Sequence, residues 1–122
     1  MSVRTWGVHT WIHHTGSIWE NATDNPHRRS GPGTNFPIIG PPLQPGQPLI
    51  ILCYSLGTTV EFTNPLGITN RSDAWDFVVI SDQDPGGYVA DVFVNTDGNI
   101  RQQLGDHGTC ELLRQRLSSP PV

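Results

Sequence analysis

Proline and glycine recur every few residues from Asn21 to Pro48, at Pro26, Gly31, Pro32, Gly33, Pro37, Gly40, Pro41, Pro42, Pro45, Gly46 and Pro48. Each proline fixes φ and removes a backbone donor, so no helix can run through this stretch. Read alone, it resembles a linker. Phe36, Ile38, Ile39 and Leu43 nevertheless lie inside it, spaced as a short apolar strand between turns, which predicts an ordered loop packed on a core.

On either side the pattern is that of strands. Thr5 to Trp19 alternates loosely, with Gly16 interrupting at Thr15 to Ser17, and Ser17 to Glu20 is expected to pair back as a second short strand. Leu49 to Tyr54 is six apolar residues between Gly46 and Gly57, followed by a further strand over Thr58 to Phe62. Asn64 to Asp73 is rich in turn formers and predicts a long polar hairpin loop. Ala74 to Ile80 and Tyr88 to Val94 make two more strands, separated by the turn Asp82 to Gly87. Glu111 to Leu117 allows one or two helical turns, and Ser118 to Pro121 reads as a frayed end. Five or six short strands at this spacing predict an all-β domain, a small barrel or sandwich.

Charge narrows the function. Seven Lys and Arg stand against 11 Asp and Glu, Lys is absent, and the net charge is −4, so the electrostatic footprint of a nucleic-acid binder is missing. No stretch approaches the roughly 18 apolar residues that cross a bilayer, and no segment reads as an anchor or signal peptide. Cys53 and Cys110 form no metal or redox motif. Two readings stay open for them: buried small apolar side chains, or a disulfide, which would place the chain in an oxidising compartment.

Four pieces, in order, carry a resemblance. Arg29-Ser30-Gly31-Pro32-Gly33-Thr34-Asn35-Phe36-Pro37-Ile38-Ile39-Gly40, the turn Pro45-Gly46-Gln47, the strand Ala74-Trp75-Asp76-Phe77-Val78 and the segment Gly87-Tyr88-Val89-Ala90-Asp91 together resemble the bacterial Src-homology-3-like (SH3-like) family. The resemblance spans His27 to Thr96 and implies an SH3-like barrel there. A strand pair would precede it in residues 1–26, and an extension would follow in residues 97–122. It also implies a Cys53–Cys110 disulfide, similar to secreted actinobacterial members, and a non-catalytic module that binds peptidoglycan or another cell-envelope ligand. Arg28 departs from the pattern, standing where an inward-facing aliphatic residue is usual.

Reactive chemistry finds less support. His9 and His13 would lie about 13 Å apart along a strand, too far to chelate one ion together, so surface or partly packed histidines are expected and no metal. His107 and Cys110 lack the strand-turn-helix elbow of a nucleophile, and Pro32 deletes a donor that a phosphate cradle over Ser30 to Thr34 would need. Turn composition already accounts for Asp82 and Asp84, which with Asp91 are the acidic candidates for a cation. The aromatic residues say more. Four Trp, four Phe and two Tyr exceed what a barrel this small can bury, so some are expected at the surface as a stacking platform.

These readings combine into one expectation: an extracellular, cell-wall-associated binding module without enzymatic activity or cofactor. Its ligand, a cell-wall glycan or peptide or a protein partner, would meet a groove of Asn35, Phe36, Tyr54, Trp75 and Tyr88. The alternative is a structural or assembly subunit of a phage particle or secreted complex.

Overall fold

The computed structural model describes residues 14–23, 26–96 and 109–118. Five antiparallel strands make one sheet: β1 (His14–Ile18), β2 (Pro48–Thr63), β3 (Thr69–Val79), β4 (Gly87–Ala90) and β5 (Val94–Asn95), in the order β4-β3-β2-β1-β5. A 3-10 turn at Asp91–Phe93 links β4 to β5, and helix α1 (Cys110–Ser118) follows. The early part of the strand expected from Thr5, including Trp6, His9, Trp11 and His13, lies outside the described residues, as do His107 and the tail beyond residue 118.

The chain is β-rich as its alternation predicts, but the sheet does not close into a barrel. On the β4 edge, the backbone of Arg29 takes the place of a closing strand. Arg29 donates its N–H to the Tyr88 carbonyl at 2.8 Å and accepts from Tyr88 N–H at 2.9 Å. Such a strap covers an edge that would otherwise invite pairing with another chain.

The apolar run Leu49 to Tyr54 is explained by burial on both faces of the sheet. Ile51 pairs with Val78 and Cys53 with Phe77, so Leu52 is an extra residue, a β-bulge. The bulge turns Leu52 and Cys53 toward the same side. Ile51, Tyr54, Ala74, Val78 and Val89 pack in one core with Ile18, Leu43 and Leu49. Leu52, Cys53, Trp75, Val79, Tyr88 and Ala90 pack in the other, beneath Cys110 and Leu113 of α1.

Four local expectations need correction. Gly16 does not interrupt β1; a Cβ there would stand 3.0 Å from Val94 Cγ1 and 3.1 Å from the Asn95 carbonyl, so glycine lets β1 run close beside β5. Ser17 to Glu20 does not pair back on the N-terminal strand, because Ser17 and Ile18 pair with Asn95 and Val94. Leu49 to Tyr54 and Thr58 to Phe62 belong to one long strand, β2. The expected loop over Asn64 to Asp73 shrinks to a tip, since Thr69 onward is already β3. Asn64 makes the tip tight by accepting the N–H groups of Leu66 and Ile68 on its side-chain oxygen at 3.0 and 3.2 Å.

The Pro- and Gly-rich stretch is ordered as its buried apolar residue requires: Leu43 is 1% exposed, whereas Phe36 and Ile38 remain exposed. Helix α1 forms where Leu112 and Leu113 predict it, capped by Thr109, whose hydroxyl accepts from Leu112 N–H at 3.3 Å. A Cys53–Cys110 disulfide fastens it to β2. Two hydrogen bonds add to this: Ser55 Oγ donates to Glu111 at 2.6 Å, and Arg114 Nη2 donates to the Tyr88 hydroxyl at 2.7 Å. Among the described residues no helix is long and apolar enough to cross a membrane.

Candidate functional site

The most site-like feature is a cleft of about 250 Å³ between the loop at residues 26–34 and the sheet. Pro26, His27, Arg29 and Thr34 line the loop side, and Val60, Trp75, Ala90 and Phe93 the sheet side.

A second irregularity of β2 builds this cleft. Leu56 pairs with Ala74 but Val60 with Ser72, so β2 carries two extra residues over this span. The displaced segment presents Thr58 to both walls. Its carbonyl accepts the Trp75 indole N–H at 2.8 Å, and its hydroxyl accepts the Thr34 N–H at 3.2 Å. Gly57 allows the loop to approach: a Cβ there would sit 1.5 Å from the Pro32 carbonyl oxygen, which the backbone cannot accommodate.

Arg29 braces the loop from within. Its Nη1 donates to the Thr34 carbonyl at 3.1 Å and to the Phe36 carbonyl at 2.9 Å. The Arg-x-Gly-Pro segment is therefore a loop held by its own arginine, with the Phe36 ring lying over Gly31.

Of the five aromatic and polar residues expected to share a groove, Trp75 borders this cleft but is no exposed platform, being 3% exposed and packed in the core. Tyr54 is buried in the core on the opposite face of the sheet, and Tyr88 is buried under α1, its ring 5.2 Å from Phe77. Phe36 is 38% exposed at the loop tip beside exposed Asn35. Thr58, Val60 and Phe93 had no signal in the sequence that marks them as lining or shaping a cleft. Arg29 and Thr34 had one, as part of the Gly-Pro motif.

Two sets of buried charges flank this architecture. Arg28, where an aliphatic residue was expected, is 5% exposed and forms an ion pair with Asp84. Asp84 also accepts the N–H groups of Ile80 at 2.8 Å and Gly86 at 3.1 Å. Burial pushes its carboxyl up, but these hydrogen bonds and the guanidinium outweigh it and hold the group below the usual Asp range. Asp84 is thus committed to protein partners.

Asp76 is the opposite case. It is fully buried on the face of β3 shared with Ala74 and Val78, and neither carboxyl oxygen has a hydrogen-bond donor among the described residues. Burial first, and then the neighbouring Asp91 carboxyl, push Asp76 well above the usual range; burial also raises Asp91. Two carboxylates both accept, so they can bond each other only when one carries a proton. Both shifts are upward, so the pair as a whole favours holding that proton. Among the described residues no group of three His, Cys, Asp or Glu side chains is placed to hold a metal ion.

The chain matches no family model, no curated protein and no solved structure.

Proposed function

We propose that this protein is a non-catalytic binding module of the bacterial SH3-like kind that attaches to the cell envelope, with peptidoglycan as its ligand. The observation that carries the reading is the braced cleft beside Trp75, a preformed concave site with an apolar floor and few polar groups on its rim. The disulfide fits an extracellular, cell-wall-associated setting. Sedimentation with purified cell walls tests the proposal: the protein should leave the supernatant with the walls. Recovery of all of it in the supernatant overturns the reading.

One observation favours the alternative of an assembly subunit. Leu56 on β2 and Leu66 and Ile68 at the Asn64 tip of the β2–β3 hairpin are exposed. A defined oligomer by light scattering, lost in the double variant L66S/I68S, would support that reading over wall attachment.

A further inference from the structure

Resting on the binding-module reading of the cleft, we infer that its ligand is a peptide chain end: a free carboxylate held by Arg29, with a small apolar side chain against Trp75 and Phe93. Charge is the first argument. The chain is acidic overall, yet among the described residues the ionisable ones lining this cleft, His27 and Arg29, are both basic. Two basic side chains on the described rim of an apolar cleft favour an anion there.

Arg29 also holds donors in reserve. A guanidinium has five N–H groups, and Nη1 spends its pair on the Thr34 and Phe36 carbonyls. Among the described residues nothing engages Nε or Nη2. Those nitrogens form the side-on edge whose two parallel N–H groups match the two oxygens of a carboxylate. Because the loop carbonyls already fix the guanidinium plane, less freedom is lost when an anion docks. Arg28 makes the contrast plain, since its charge is spent on Asp84.

Size and floor select among anions. The volume of about 250 Å³ falls below the range of pockets that enclose a drug-sized ligand, roughly 300–1,000 Å³, so the cleft takes the end of a molecule. Inorganic phosphate would satisfy Arg29 but leave the Val60, Trp75 and Phe93 floor uncovered. A chain-terminal residue with an aliphatic side chain satisfies both.

The test is titration of the whole protein with N-acetyl-glycyl-valine, its C-terminal amide and inorganic phosphate, followed by the Trp75 indole N–H resonance. The acid should move that resonance saturably. The amide should bind at least about tenfold more weakly, as expected for loss of a charge-assisted bidentate contact. R29Q should abolish the preference for acid over amide. Equal binding of acid and amide, or phosphate binding as tightly as the peptide acid, overturns the inference. Because the acid–amide comparison uses the unaltered protein, it decides the matter even if R29Q disturbs the loop. If walls sediment the protein but the peptide acid does not bind, the chain-end inference falls and wall attachment stands. If the acid binds but walls do not sediment the protein, wall attachment falls and the inference stands.

Discussion

Asp84 and Asp76 are both aspartates withdrawn from water, and the fold treats them in opposite ways. Asp84 gains a guanidinium and two backbone N–H groups, so its charged form is at home. Asp76 gains an apolar core and a second carboxyl, so its neutral form is at home. Burial alone therefore does not decide whether an acid stabilises a fold; the donors that arrive with it do.

The largest effect that could break this comparison lies at the compensated site. Arg28→Ala strands Asp84 beside an emptied pocket and should cost about 3–5 kcal/mol, read as a lower urea midpoint. A cost under about 1 kcal/mol would mean that the two backbone N–H groups alone suffice for Asp84. Next comes a difference of sign. Asp84→Asn should destabilise, whereas Asp76→Asn should stabilise at neutral pH by about 1–2 kcal/mol, since an amide can donate to Asp91 without needing a proton. Loss of stability in D76N would put a donor beside Asp76 that the described residues do not supply.

The pH dependence follows from the same opposition. The native Asp76–Asp91 pair retains a proton that the unfolded chain releases near pH 4, so stability falls as pH rises from there to the raised native value, then levels. Asp84 runs the other way. Its native value is depressed, so its stabilisation is complete above the unfolded value near 4 and is lost as pH falls through the native one. Above about pH 5, where the Asp84 contribution is complete, melting temperatures should decline toward neutral pH in the unaltered protein and decline less in D76N, where only the burial of Asp91 still raises a carboxyl. Parallel curves for the two proteins would remove Asp76 as the source of the decline.

The sequence makes one half of this contrast legible and hides the other. Asp82 to Gly87 reads as a turn, and Asp84 does organise it by accepting from Gly86 N–H. Its ion-pair partner lies 56 residues earlier, and no local pattern links the two. Asp76 sits between Trp75 and Phe77, where alternation would give a solvent-facing acid on a half-buried strand. β3 is instead central, covered on both faces, because the bulge at Leu52 distributes one apolar run between two cores. The cleft was hidden for a similar reason. Trp75 is prominent in any reading of the chain, but the two extra residues of β2 that bring Thr58 to it change pairing register, and register is a property of two strands together.

Glu111 supplies the intermediate case and the smallest effect. Its carboxylate accepts from Ser55 Oγ at 2.6 Å, a hydrogen bond as short as any expected of a charged acceptor, yet the residue itself remains exposed. Ser55→Ala removes a donor from an acid that still has water to replace it. Stability should fall by no more than about 1 kcal/mol in urea unfolding, with α1 kept in place by the Cys53–Cys110 disulfide. A loss near that of Arg28→Ala would show that solvent cannot substitute for Ser55, and the ranking of these acids by the water and donors left to them would fail.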